Sequence, residues 1–188
     1  MTNSSDFIKG FLGKPIWGAR KGHGSFLIFN LGEPRIEFEE PKIQKAFSDT
    51  EIRFPKDTYK SRLVTIKGDY FIWIYCCDWT FSIEEKIVAH NESNDKEILN
   101  AIEFINGQII SSIFIDSEKF EMKFNFDLAG SLTLRKNEYY ESEAELLIME
   151  NNGKWLSIND QKELKVENSH RNIINKEMIE TEQIDIKN

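Results

Sequence analysis

Between Asp69 and Phe81 the chain reads Asp-Tyr-Phe-Ile-Trp-Ile-Tyr-Cys-Cys-Asp-Trp-Thr-Phe, and no other stretch limits its fold so sharply. At a period of two, Phe71, Trp73, Tyr75, Cys77, Trp79 and Phe81 share one face. Tyr70, Ile72, Ile74, Cys76, Asp78 and Thr80 share the other. A strand that is apolar on both faces needs cover on both. The run predicts a central strand over 70–79, paired along both edges, with Trp73 and Tyr75 buried. Asp78 is its anomaly, a carboxylate at the end of an apolar run.

The rest of the chain is read around that strand. Its 188 residues suit one domain of ordinary size. Its 14 Phe fall largely in strand-like runs, which favours a sheet-rich fold. Short strand-like runs occur at 16–20, 25–31, 35–39, 62–66, 83–90, 108–115, 118–126, 131–135, 144–149 and 154–158, with clean alternation at 35–39 and 118–126. Turn residues such as Gly22, Gly24, Gly32, Gly68 and Asn151-Asn152-Gly153 separate many of them. In the 35–39 run, Ile36 and Phe38 are expected inward and the charges outward. Pro41 to Phe47 reads as a short helix.

The clearest helix spans 94–105. Asn94 caps it, Glu97 completes a capping-box-like pair, and Ile98, Ala101, Ile102 and Ile105 fall on one face before Asn106-Gly107. The expected fold class is α+β: a largely antiparallel twisted sheet, or two packed sheets, with the 94–105 helix covering a face. The expected domain is 1–160. Residues 161–188 are polar, lack aromatics and read as a flexible or loosely docked tail.

A net charge of -8 disfavours nucleic acid as a partner and suits a basic protein. No apolar run reaches the roughly 20 residues that cross a bilayer, so no membrane association is expected. No basic n-region followed by an apolar stretch opens the chain. Cys76 and Cys77 are adjacent, so on a strand they point to opposite faces and are poorly placed to pair. Thiols in a core strand fit a reducing compartment, and the expected location is cytoplasmic.

Chemistry is sparse. His23, His90 and His170 stand far apart, and neither they nor the adjacent cysteines have metal-ligand spacing, so neither metal nor other cofactor is expected. There is no nucleophile elbow and no phosphate loop. Gly18 to Gly24 is Gly-rich and basic, but its simplest reading is a hairpin connection. A buried Asp78 would need a partner, for which Arg20 or Arg62 is available; otherwise Asp78 and Trp79 mark a strand end. Arg20, His23, Asp78 and Trp79 are the candidate pocket of an enzymatic or small-molecule-binding reading.

Three segments carry a resemblance. They are Gly13-Lys14-Pro15-Ile16-Trp17-Gly18 with Gly24-Ser25-Phe26-Leu27, Gly68-Asp69-Tyr70 through Cys76-Cys77-Asp78-Trp79, and Phe126-Asp127-Leu128-Ala129-Gly130. Together, over about residues 10–158, they resemble a family of small uncharacterised bacterial proteins similar to the immunity proteins of polymorphic toxin systems. The resemblance implies a non-enzymatic protein that binds and neutralises a cognate toxin, as in toxin–antitoxin pairs. A basic toxin would be steered by the acidic surface. Glu37, Glu39 and Glu40 are the candidate contact patch, against the plainer reading of a solvated strand face.

Overall fold

The computed structural model describes residues 4–39, 44–45, 52–53, 62–74, 77–116, 119, 121–137, 146–150, 153–158, 164–168 and 184–187. In chain order the first elements are α1 (Ser4–Lys9), β1 (Ile16–Lys21), β2 (Leu27–Leu31), β3 (Arg35–Glu39), β4 (Gln44–Lys45), β5 (Ile52–Arg53), β6 (Leu63–Lys67), β7 (Tyr70–Ile74), β8 (Cys77–Ile83) and β9 (Lys86–His90). There follow α2 (Asp95–Ile105), β10 (Ile110–Asp116), β11 (Glu121–Phe126), β12 (Gly130–Lys136), β13 (Leu146–Glu150), β14 (Lys154–Ile158), β15 (Leu164–Asn168) and β16 (Ile184–Lys187). The fold is α+β and mostly antiparallel sheet. Two compact units are formed, one from residues 1–33 and 68–188, the other from 34–67.

The larger unit holds two six-stranded sheets, ordered β1-β2-β7-β13-β14-β15 and β16-β10-β11-β12-β8-β9. The long apolar run is divided between them. β7 pairs with β2 and β13 in the first sheet, whereas β8 pairs with β12 and β9 in the second. Both edges of each strand are thus occupied, as the run requires. The expectation of one continuous strand over 70–79 is corrected.

The reason lies in the side-chain phase. In β7 the fully buried residues are the even-numbered Ile72 and Ile74; in β8 they are the odd-numbered Trp79 and Phe81. Two strands of opposite inward phase, read as one, look apolar on both faces. Trp73 lies on the other side of β7 and is half-buried. Tyr75 and Cys76 lie outside the described residues.

One hydrophobic core joins the inner faces. It takes Leu27, Phe29, Leu31, Ile72, Ile74 and Leu156 from the first sheet, and Trp79, Phe81, Ile113, Met122, Phe124, Leu132 and Leu134 from the second. Side chains of this size contribute roughly 1.5–3 kcal/mol each on full burial, enough to account for the abundance of aromatics without a ligand. α2 buries Ile98, Ala101, Ile102 and Ile105 against β1 and β9, an edge strand of each sheet. Its cap is the expected one: Asn94 Oδ1 accepts from the Glu97 N–H at 3.1 Å. At the other end Gly107 takes φ +86° and its N–H donates to the Ile16 carbonyl at 2.8 Å, which ties the helix to β1.

Two features were not expected from the sequence. α1 and the turn after it bury Phe7, Ile8 and Phe11, and the Phe11 ring meets Tyr70 edge-on at 4.6 Å. Within the 161–188 stretch, β15 pairs with β14 and β16 pairs with β10.

The smaller unit contains two antiparallel pairs, β3 with β6 and β4 with β5. Gln44 and Lys45, inside the expected 41–47 helix, are extended. The remainder of that helix lies outside the described residues.

Candidate functional site

Asp78 is half-buried near the start of β8. Its Oδ1 accepts from Asn91 Nδ2 at 2.9 Å and from Asn137 Nδ2 at 2.7 Å. Asn91 follows β9 and Asn137 follows β12, so the carboxylate fastens the chain ends flanking β8. Charge-assisted hydrogen bonds are the stronger kind, and two of them meet the need of a partly desolvated carboxylate. Asp78 is thus held by amides rather than by Arg20 or Arg62, the arginine partners offered as one of the two alternatives. Arg20 Nη1 instead reaches the Gly18 carbonyl, at 3.4 Å. Arg135, directly across the ladder from Asp78, gives its Nε to Glu121 at 2.7 Å.

Beside these amides lies a cleft of about 70 Å³ lined by Ser25, Phe26, Ile74, Cys77, Trp79, Asn91 and Asn137. Trp79 is fully buried, and its indole N–H donates to the Ser25 carbonyl at 2.8 Å. His23 is exposed, with its ring 6.4 Å from that of Phe26. Of the four candidate pocket residues only Trp79 lines the cleft; Asp78 reaches it through its partners Asn91 and Asn137, and His23 and Arg20 are not among the lining residues. Sites for small molecules usually enclose about 300–1,000 Å³, so this cleft has room for little more than water. Among the described residues no three His, Cys, Asp or Glu side chains gather as a metal site would require.

The acidic patch has a different neighbourhood from the expected one. Glu37 is half-buried and its Oε2 lies 2.8 Å from Lys67 Nζ. Glu39 ends β3, the placement of its side chain lies outside the description, and Glu40 lies outside the described residues. The strand alternates as the sequence suggests, but its sides are reversed. Ile36 pairs across the ladder with Ile66, and Phe38 with Val64. These four are 64%, 60%, 63% and 56% exposed, while Glu37, Thr65 and Lys67 on the other face are half-buried. A single exposed Ile or Phe is unremarkable; a contiguous cross-strand set of four marks a surface for contact.

A second surface escaped sequence reasoning. The β8–β9 turn places Glu84 at φ 47° and Glu85 at φ 66°, and the β11–β12 turn places Ala129 at φ 59°. Asn or Gly is the usual occupant of such positions, so Glu-Glu gives no turn signal in the sequence. The Glu84 N–H donates to the Ala129 carbonyl at 3.1 Å, which joins the two turns into one tip. At this end of the second sheet Leu128, in the β11–β12 turn, and Ile87, in β9 just past the other turn, are each 66% exposed.

Residues of the segments Gly13–Gly18, Gly68–Trp79 and Phe126–Gly130 act as fasteners. Lys14 Nζ meets Asp69 Oδ2 at 2.6 Å, Trp17 Nε1 donates to the Gly32 carbonyl at 2.7 Å, and Asp127 Oδ1 accepts from the Ile109 N–H at 2.7 Å. Compared with known proteins, the chain matches no family model, no curated sequence and no solved structure.

Proposed function

We propose that the chain is a non-enzymatic protein-binding module of the immunity type, which neutralises a cognate toxin through the apolar face of the β3–β6 hairpin. The observation that carries this reading is the set Ile36, Phe38, Val64 and Ile66, all more than half exposed on one face of a two-stranded ribbon. A two-stranded ribbon is marginal by itself in water, and burying such a face against another protein offsets that. At long range the negative charge carried by the residues outside 34–67 draws a basic partner toward the chain, whereas the contact at the hairpin itself is apolar. Glu37, already paired with Lys67, contributes little net charge to the contact.

The test is co-expression with the product of the neighbouring gene, followed by titration calorimetry of the purified pair. A complex is expected, and Phe38→Ser with Val64→Ser should weaken it at least about tenfold, as loss of central apolar anchors does. Both side chains are exposed, so the far-ultraviolet spectrum should not change. A complex indifferent to these substitutions removes the hairpin face from the reading. Absence of any complex at low salt removes the toxin-neutralising reading.

A further inference from the structure

The charge of the chain is unevenly divided. Residues 34–67 hold eight Lys and Arg against six Asp and Glu, a net +2, which leaves -10 for the remaining residues of a chain at -8. The exposed apolar face therefore lies on the one unit of opposite sign to the rest. The surface that complements it in both respects is present on the same polypeptide. The end of the second sheet where the β8–β9 and β11–β12 turns meet carries exposed Leu128 and, in β9, exposed Ile87, together with exposed Glu84, Glu85, Lys86 and Asp127.

We propose that the hairpin face Ile36, Phe38, Val64 and Ile66 docks on the Ile87–Leu128 tip of a second copy of this chain. This rests on the reading of the hairpin as a protein-docking face and names its occupant in the purified protein. Apolar side chains meet apolar side chains at the centre, and a unit of net +2 meets a carboxylate rim. The contact is heterologous: one surface of each copy meets a different surface of the other. Standard stable interfaces bury about 800 Å² per partner, and four side chains against two fall short of that, so the association is weak and concentration-dependent. A cognate partner binding the hairpin then competes with the second copy.

Sedimentation equilibrium of the full chain, at about 5–500 µM, tests this directly. The wild-type mass should rise with concentration above 22.0 kDa. Ile36→Ser with Ile66→Ser should hold the chain at the monomer mass, and Ile87→Ser with Leu128→Ser should do the same. All four positions are more than half exposed, so both variants should keep the wild-type thermal midpoint to within a few degrees. Mixing the two variants should restore association, because the intact hairpin of one meets the intact tip of the other. Raising the salt from about 0.05 to 0.5 M should weaken association several-fold through screening of the rim.

A wild-type chain that stays at the monomer mass throughout overturns the inference, as does a mixture of variants that fails to associate. A tip variant that associates like the wild type overturns it in favour of hairpin-to-hairpin contact. Because binding of the neighbouring gene's product is measured separately, a monomeric chain that still loses that product on hairpin substitution refutes only this inference.

Discussion

Lys14 Nζ and Asp69 Oδ2, 55 positions apart in the chain, lie 2.6 Å apart. The same oxygen accepts from the Glu33 N–H at 3.3 Å, and Lys14 lies 5.7 Å from the centre of the Tyr70 ring. One carboxylate thus holds the entry to β1 and the turns flanking the smaller unit. Partly exposed ion pairs with good geometry contribute about 1 kcal/mol. A double-mutant cycle of Lys14→Ala and Asp69→Ala should return a coupling near that value, falling in high salt. A coupling of zero at low salt would mean that the pair is incidental to the fold.

Trp79 should be the most sensitive aromatic of the run. It is fully buried and its indole N–H is satisfied, whereas Trp73 is half-buried. Trp79→Ala is expected to destabilise by about 3–5 kcal/mol and Trp73→Ala by less. Urea midpoints at constant slope measure both, and the reverse order would contradict the division of the run between two sheets.

The left-handed turn at Glu84-Glu85 invites an opposite result. Replacing the pair by Asn-Gly suits a two-residue hairpin loop with both central residues at positive φ. A gain of about 1 kcal/mol is expected, read as a rise in the thermal midpoint of a few degrees. A fall would show that the glutamates make contacts that outweigh the backbone strain.

Ending the chain at Asp160 removes β15 and β16, and with them a neighbour of β14 and of β10. The exposed ladder groups and apolar side chains of β10 should lower the urea midpoint and promote aggregation. An unchanged midpoint would show that residues 1–160 suffice for the fold.

What the sequence revealed follows from the range of each interaction. α2 was legible residue by residue, since its cap, apolar face and terminating glycine are all local. β4, β5, β15 and β16 were not legible as elements, whereas most of the longer strands were, because apolar runs and turn residues are also local. Their distribution between sheets was not: β7 joins β13 and β8 joins β12 across dozens of intervening residues, and periodicity does not encode such pairings. α1 spans six residues, too few for a helical repeat to stand out. At Asp78 the sequence marked the carboxylate but not its partners, because Asn91 and Asn137 are 13 and 59 positions away and asparagine is common in any loop. The alternation of β3 was read correctly, yet which side faces water depends on whether a second layer covers the ribbon, and alternation alone carries no sign.

The change of inward phase between Ile74 and Trp79 makes the chain count in twos. A slip of β8 by one residue against β12 would present Asp78, Thr80 and Ser82 to the core and turn Trp79 and Phe81 away from it, whereas a slip of two would preserve the sidedness of β8. In β8 the fold reads the parity of the register before the composition of the strand.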